Sequence, residues 1–291
     1  MGMCDIGITT RLYSRLTATF FGAAMMASVG LPPALAGSTD PLTLEYEAYF
    51  GGFHVASGRT SIDLQGDAYT ITGQARARGM LDWYSGWQGN AVSEGRIGAD
   101  GSIVPMTHDN GGLWRGSKRR NSLVFKPDGS VDVNQESPPD PEKLTPIPPA
   151  SIPGTVDPIS AILFLAGVIE KGGACTGSIP IYDGRRRYDL SVSEGETRTF
   201  EQNEYTIFAG EATACEVEFQ KIGGFRVEQS KYSQTARDRI VWVARPLPGA
   251  PPIPVRVDVE TDFGQLVVHL TAARHSGREI ALEPGKDNLA D

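Results

Sequence analysis

The stretch VRVDVE, Val255–Glu260, alternates apolar and charged residues without interruption. The stretch LVVHLT, Leu266–Thr271, keeps the same period after the short sequence Asp262-Phe263-Gly264. A period of two residues is that of a β-strand with one buried face, and a Gly-containing break between two such stretches is typical of a hairpin. This part of the chain therefore predicts antiparallel strands and a mainly β fold.

The same alternation occurs throughout the chain. Leu42–Phe50 is followed by Gly51-Gly52 and by a second strand to about residue 64, and further strands are predicted near 102–109 and 204–209. The dipeptides Asp100-Gly101 and Asp128-Gly129 are typical of hairpin turns. With 34 Gly and 20 Pro in 291 residues, a long helical bundle is excluded and short strands joined by turns are favoured.

One helix is predicted, over about residues 157–171. Asp157 is suited to capping free N–H groups, and Pro158 fits the first helical position. Apolar residues cover more than one face, and Gly172-Gly173 ends the pattern. A helix that is apolar on most sides is expected to be buried across the mouth of a curved sheet. The alternative is a membrane-active helix.

Residues 137–158 contain eight prolines, which cannot join ladder hydrogen bonds. This Pro-rich loop could separate two domains, but the strand pattern is alike on both sides of it. We predict one β domain over 37–283 with a long external loop, followed by a flexible polar tail at 284–291.

The first 36 residues have the features of a secretory signal peptide: Arg11 and Arg15, then an apolar stretch to about Leu31, then Ala34-Leu35-Ala36. The alternative is a retained membrane anchor, for which the apolar stretch is shorter than the roughly 20 residues that a span needs. We predict cleavage after Ala36 and a periplasmic protein with no later transmembrane segment. No Cys follows the cleavage site, so lipidation there is not expected.

Cleavage would remove Cys4 and leave Cys175 and Cys215. Two cysteines in an oxidising compartment predict one disulfide. The alternative is a redox or metal-binding thiol pair, which would be expected to show a Cys-x-x-Cys spacing.

Several ordered patterns resemble the bacterial domain-of-unknown-function family 3108, whose members are secreted envelope proteins. The patterns are Val156–Ile162, Tyr182–Leu190, Val241–Val243, Pro254–Val257 and Phe263–Leu270. The resemblance covers roughly residues 42–275 and implies one curved antiparallel sheet, as a half-barrel or a spiral β-barrel. It also implies a wider likeness to periplasmic lipoprotein carriers and spiral-barrel envelope integrity proteins, which bind acyl chains or are suspected of binding apolar ligands in a concave face. The family supplies no catalytic residues.

The chain offers no recognisable catalytic signature. It lacks a Gly-x-Ser-x-Gly nucleophile elbow, a phosphate-binding Gly-rich loop and a known zinc spacing around His269 and His275. Asp132–Glu136 only faintly resembles the start of a calcium loop. We therefore predict a protein that is not an enzyme and that needs no cofactor or metal.

Two features are candidates for ligand binding. Trp83, Tyr84 and Trp87 are expected to form the rim of an apolar site, or else to pack at a corner of the sheet. The basic runs Lys118–Arg120 and Arg185-Arg186-Arg187 are expected either to contact anionic headgroups or to protect strand edges. The net charge of −8 disfavours nucleic acid as a partner.

Three functions remain open at this point. The first is a non-enzymatic periplasmic protein that binds a lipid, a lipoprotein acyl chain or another apolar ligand and supports envelope integrity. The second is a scaffold or protein-interaction module of the envelope without a small ligand. The third is a hydrolase that acts on an envelope polymer.

Overall fold

The computed structural model describes residues 40–136, 141–172, 174–227, 238–261 and 264–282. The predicted signal peptide, the flexible tail, the first residues of the Pro-rich loop at 137–140 and the hinge residues 262–263 lie outside the described residues. No helix in the described part of the chain is long and apolar enough to cross a membrane.

The described residues form fourteen strands and two α-helices. The strands are β1 Leu42–Phe50, β2 Phe53–Gln65, β3 Ala68–Ala77, β4 Gln88–Ile97, β5 Ile103–Trp114, β6 Ser117–Phe125, β7 Val131–Gln135, β8 Gly177–Tyr182, β9 Arg187–Phe200, β10 Gly210–Gly223, β11 Arg239–Ala244, β12 Ile253–Thr261, β13 Gly264–His275 and β14 Arg278–Ala281. The helices are α1 Gly79–Ser85 and α2 Ala161–Gly172, with single 3-10 turns at Pro141–Lys143 and Pro149–Ser151.

All strands belong to one antiparallel sheet in the order β7-β6-β5-β4-β3-β2-β1-β13-β12-β11-β10-β9-β8, with β14 added to β13. The sheet is curved and does not close through backbone hydrogen bonds, so β7 and β8 are its outer edges. This confirms the predicted mainly β fold with one curved antiparallel sheet.

The first hairpin shows how the alternation creates the core. Gly51 and Gly52 turn the chain with φ of 56° and 87°, a region that residues with a Cβ rarely adopt. In β1, Leu42 and Leu44 are buried and pair with Ile62 and Thr60 of β2, while Thr43 between them is half-buried. The period of two thus separates the core face from the other face, as predicted.

Helix α2 begins later than predicted and is only half-buried along 161–169. Asp157 does cap its first turn, since the Oδ1 atom accepts the N–H groups of Ile159 at 3.1 Å and Ser160 at 3.0 Å. Ile162 and Leu163 pack against the main core. The burial is partial because a single helix shares its apolar sides among three separate clusters of sheet residues.

The described part of the Pro-rich loop is less external than expected. Val156 is buried and forms a parallel bridge beside β8, since its N–H donates to the Pro180 carbonyl at 2.9 Å and its carbonyl accepts the N–H of Tyr182 at 2.9 Å. The end of the loop thereby pairs with an edge strand that would otherwise be open.

Cys175 and Cys215 form the predicted disulfide, with their Cα atoms 5.4 Å apart. Both are fully buried with Val243, and the side chains of Leu165 and Ile169 in α2 pack on them. The bond therefore links the segment after α2 to β10 inside the core.

One predicted strand boundary and one predicted strand are wrong. β5 does not end near residue 109 but continues to Trp114, because its glycines fit closely against β4: a Cβ on Gly112 would lie 2.3 Å from the Gln88 carbonyl oxygen. The predicted strand at 204–209 is a loop in which Ile207 and Phe208 fold into the core.

Candidate functional site

Large apolar side chains that are exposed to solvent are concentrated on and beside α1. Trp83 is 89% exposed, Met80 78% and Phe53 71%. Together with three further exposed side chains they form what we call the aromatic surface: Phe53, Met80, Leu81, Trp83, Tyr84 and Trp114. A cluster of exposed apolar groups of this kind marks an interaction site more often than single exposed residues do.

The local sequence fixes α1 in this orientation. Gly79 begins the helix with φ of 53°, and a Cβ there would lie 2.9 Å from the His54 carbonyl oxygen. At the other end the Gly86 N–H donates to the Asp82 carbonyl at 2.6 Å. Ser85 is buried and its Oγ donates to the Leu81 carbonyl at 2.6 Å, which leaves the large side chains on the outer side.

Hydrogen bonds hold α1 against neighbouring hairpins. The Arg78 N–H donates to the Val55 carbonyl at 2.8 Å, which places the start of α1 beside Phe53. The Arg115 N–H donates to the Ser85 carbonyl at 2.8 Å, which places the end of α1 beside the β5–β6 turn. The aromatic surface is therefore built from three separate segments.

The three aromatic residues predicted as a rim take different positions. Trp83 and Tyr84 lie on the aromatic surface, and the Arg115 guanidinium stacks 4.1 Å from the centre of the Tyr84 ring. Trp87 is half-buried and lies against Gly89 of β4, so it supports the start of a strand.

A groove of about 900 Å³ lies across the strands beside α1. Its lining is polar. Its cationic residues are Arg59, Arg76, Arg78, Lys118, Arg119 and Arg120, and its acidic residues are Glu45, Glu47, Asp109 and Glu136. The predicted basic run at 118–120 thus borders this polar groove.

One network fixes the end of the polar groove next to α1. The Glu47 carboxylate accepts hydrogen bonds from His54 Nε2 and from Ser57 Oγ, the latter at 2.6 Å. Arg78 Nε in turn donates to Ser57 Oγ at 2.6 Å. Because Arg78 also precedes α1, this network connects the polar groove to the aromatic surface.

The second basic run is divided between two roles. Arg187 is buried, and its guanidinium donates to Asp189 at 2.6 Å and to the Ser151 carbonyl at 2.7 Å, so it holds the Pro-rich loop on the sheet. Arg185 is half-buried and Arg186 is exposed, and both lie in the β8–β9 turn. Neither lies on α1 or in a segment bonded to it.

Sequence reasoning missed a buried polar cluster under α2. Asp157 is fully buried and its Oδ1 atom accepts from Ser93 Oγ at 2.6 Å, while its Oδ2 atom accepts from Ser160 Oγ at 2.6 Å. His108 Nδ1 lies 3.2 Å from Asp157 Oδ1, and the Tyr69 hydroxyl lies 3.0 Å from Ser160 Oγ. The cluster joins β3, β4 and β5 to the start of α2.

This cluster contains Ser, His and Asp, but its geometry differs from that of a hydrolase triad. His108 Nδ1 contacts both Ser93 Oγ, at 2.7 Å, and Asp157, whereas a triad uses opposite ring nitrogens for the two partners. The other nitrogen of His108 faces the Asn110 amide at 2.9 Å. The arrangement positions the helix start instead of exposing a nucleophile.

His269 occupies a second enclosed position. Burial, and then the charge of Arg256, lower its pKa to about 4, although Asp258 acts in the opposite direction. Its ring centre lies 6.0 Å from that of Tyr49 and 5.9 Å from that of Tyr205.

We expect His269 to make the protein sensitive to mild acid. The unfolded chain takes up this proton near pH 6.5 and the folded chain only near pH 4, so the stabilisation is complete above pH 6.5 and is lost as the pH falls towards 4. The loss is at most about 3 kcal/mol. Urea unfolding between these pH values should show a flatter pH dependence of the free energy of unfolding for His269→Gln than for the parent. Parallel curves for the parent and His269→Gln would contradict this.

Within the described residues no group of three or more His, Cys, Asp or Glu side chains has the geometry to hold a metal ion. The groups available for a ligand are the cations of the polar groove, those of the β8–β9 turn and the rings of the aromatic surface.

The contributions of Phe53 and Trp114 to the aromatic surface were also missed from the sequence. Each is one large residue beside a turn glycine or turn arginine, a signal too common to single out. Their meeting with α1 depends on the strand register, which local patterns do not specify.

Comparison with known proteins gives one family match. A family model described as a protein of unknown function, DUF3108, matches residues 45–271. No curated protein matches the chain.

Solved structures similar to this chain include two of low sequence identity. A β-barrel-like protein of the domain of unknown function DUF1849 from Brucella abortus is 13% identical, with a TM-score of 0.46 and coverage of 80% of this chain and 96% of that one. A protein provisionally described as a lipoprotein from Parabacteroides distasonis is 11% identical, with a TM-score of 0.27 and coverage of 80% and 95%. No function is transferred from either.

Proposed function

Because this chain belongs to the DUF3108 family, whose function is unknown, we propose a function from its own surface: a non-enzymatic cell-envelope protein that binds lipid. The aromatic surface is the observation that carries this proposal. It would dock on an anionic lipid surface, with Trp83 and Met80 entering the boundary between headgroups and acyl chains.

The composition of the aromatic surface fits such a boundary. Trp and Tyr rings combine an apolar body with a polar edge and are enriched where membranes meet water. Trp83 and Met80 are largely exposed, so transfer into lipid would remove most of their apolar area from water. Burial of each large side chain contributes about 1.5–3 kcal/mol.

Local charge supports an anionic surface as the partner. Arg78 precedes α1, Arg115 stacks on Tyr84, and Lys118 follows in the adjacent β6. A cation near an anionic bilayer contributes about 1 kcal/mol. With a net charge of −8 the protein as a whole is repelled by an anionic membrane. This repulsion favours docking through the side that carries these cations and the aromatic surface.

The polar groove argues for docking on a surface over enclosure of an acyl chain. A cavity of about 900 Å³ is large enough for a ligand, but charged and amide side chains line it. Trp87 is half-buried and does not extend the aromatic surface. The acyl region of a lipid would therefore contact α1, with its polar headgroup towards Arg78 and the polar groove.

Vesicle binding tests the proposal. The full chain would be expressed, purified from the periplasm and its N-terminus determined by mass spectrometry, which also tests the predicted cleavage after Ala36. We expect cosedimentation with vesicles of phosphatidylglycerol and a blue shift of tryptophan fluorescence. Trp83→Ala should weaken binding about tenfold, because a loss of about 1.4 kcal/mol corresponds to that factor.

A matched pair of variants separates the effect of losing Met80 from the effect of losing an exposed methionine elsewhere on the surface. Met80→Ala lies on α1, whereas Met106→Ala lies on β5 and is 51% exposed. Only the first should weaken vesicle binding, and neither should change the unfolding midpoint. If the parent does not bind vesicles, or if both variants behave alike, the lipid proposal fails and the scaffold hypothesis takes its place.

A further inference from the structure

Four arginines from three segments meet where the outer parts of the sheet face each other. Arg119 lies in β6, Arg185 and Arg186 lie in the β8–β9 turn, and Arg226 follows β10. We call these four residues the arginine cluster. It unites members of both basic runs in the sequence with a cation that belongs to neither.

Side-chain hydrogen bonds bring the segments together. Asn121 Nδ2 of β6 donates to the Asp183 carbonyl at 2.7 Å, and Gln135 Nε2 of β7 donates to the Gly184 carbonyl at 3.1 Å. On the other side Gly224 has φ of 79°, and a Cβ there would lie 1.8 Å from the Arg185 carbonyl oxygen. The β8–β9 turn is therefore held firmly between β6–β7 and the chain after β10.

The charges of the arginine cluster are poorly compensated. Arg185 Nε is buried and has no hydrogen-bond partner among the described residues. Arg119, Arg185 and Arg226 form no ion pair with any residue that the structure describes. The guanidinium of Arg186 lies 4.0 Å from the Asp183 carboxylate. Asp183 Oδ1 is already occupied by the backbone N–H groups of Arg185 and Arg186, at 2.8 and 2.5 Å.

The electrostatics agree with the geometry. Burial lowers the pKa of Arg185, and the neighbouring charges of Arg186, Arg226 and Arg119 lower it further, against the opposing effect of Asp183. Arg187 next to them shows the contrast, because Asp189 and a backbone carbonyl satisfy its guanidinium. Like charges at close range without counterions are unfavourable, and an anion bound between them would remove the repulsion.

We propose that the arginine cluster binds the phosphate group of an anionic ligand. Guanidinium groups donate paired N–H bonds that match phosphate oxygens. Several neighbouring cations suit the multiple negative charge of a phosphomonoester or a pyrophosphate better than the single charge of a carboxylate. Arg185 supplies a partly buried guanidinium, and the exposed Arg119, Arg186 and Arg226 leave the site open to solvent. This site does not depend on vesicle docking through α1.

Calorimetric titration with inorganic pyrophosphate at low ionic strength tests the site. The parent should bind saturably, and Arg185→Gln and Arg226→Gln should each bind at least about tenfold more weakly, the factor for about 1.4 kcal/mol. Arg226 is exposed, so Arg226→Gln should fold normally. It keeps the test valid even where Arg185→Gln does not fold. Arg96→Gln is the matched control. It also removes one positive charge, but Arg96 lies outside the arginine cluster and pairs with Asp67 of the β2–β3 turn at the surface.

Stability provides a readout that a structural role would not give. Arg185→Gln should keep or raise the unfolding midpoint without ligand, and it should lose the rise that pyrophosphate gives the parent. Absence of saturable binding by the parent overturns the proposal. Equal weakening in Arg96→Gln, or unchanged binding in both cluster variants, overturns it as well.

Two further probes identify the source of the phosphate. Binding of glycerol phosphate with an affinity comparable to that of pyrophosphate indicates a soluble phosphorylated ligand. Binding of phosphatidate in phosphatidylcholine vesicles that Arg185→Gln abolishes and Trp83→Ala retains indicates a lipid headgroup. Vesicle binding that only Trp83→Ala abolishes belongs to the aromatic surface and counts against a headgroup at the arginine cluster.

Discussion

Asp157→Ala should lower the free energy of unfolding by about 4 kcal/mol, within the range for removal of one partner of a buried charged network. The substitution removes the carboxylate that accepts hydrogen bonds from Ser93 and Ser160, and it also removes the cap of α2. Each buried group that loses its partner costs about 1–3 kcal/mol. Urea unfolding followed by circular dichroism measures the change.

Asp157→Asn is the matched variant, since it keeps a side-chain oxygen for the N–H groups of the first helical turn but removes the negative charge. We expect its loss of stability to lie between those of the parent and Asp157→Ala. A loss below about 1 kcal/mol for the alanine variant would show that the cluster contributes no more than a single ordinary hydrogen bond.

The same carboxylate should shape stability in strong acid. Burial alone would raise the pKa of Asp157, but the hydrogen bond and charge of His108, followed by the bonds from Ser160 and Ser93, hold it below its usual value. The unfolded chain is protonated first, so this stabilisation is present above about pH 4 and is lost as the pH falls further. Asp157→Asn should remove that part of the pH dependence and leave the part due to His269.

Loss of the disulfide should have an effect of similar size. Cys175 and Cys215 close a loop with a sequence separation of 40 residues, and the chain-entropy model assigns such a loop about 4 kcal/mol. The double variant Cys175→Ala and Cys215→Ala should show this loss in urea unfolding. Peptide mapping without reductant should show the cross-link in the parent.

Reduction supplies the control for the double variant. Dithiothreitol should destabilise the parent under conditions in which the disulfide is cleaved, and it should leave the double variant unchanged. Free thiols in periplasmic protein, or equal stability of the two proteins, would contradict the prediction.

Local patterns predicted most of the fold because they depend on nearby residues. The period of two in β1, β12 and β13 and the glycine turn at 51–52 appear in the structure as expected. The Asp157-Pro158 pair marked the start of a helix correctly, although helical geometry is reached only at Ala161. The prediction that β5 ends near residue 109 was wrong, because the glycines of this strand allow close packing against β4 and do not form a turn.

The candidate site was only partly predictable, because it depends on pairs that are distant in sequence. Trp83 and Tyr84 could be singled out as a local cluster, but their association with Phe53 requires the register of β2 and β3. Ser93 and Asp157 are 64 residues apart, and no pattern in either segment specifies the other. The two basic runs were visible, yet the arginine cluster takes only some members from each.

The pairing of β1 with β13 has a consequence for folding. Thr43 lies opposite Arg274 and Phe50 opposite Leu266, so β1 cannot obtain its second neighbour until the distant strand β13 is available. Contacts of such high sequence separation make folding slow, and they leave a partly formed sheet with open edges in the meantime. Until β13 has formed, the free edge of β1 stays open to pairing with other chains, which a holding chaperone would prevent.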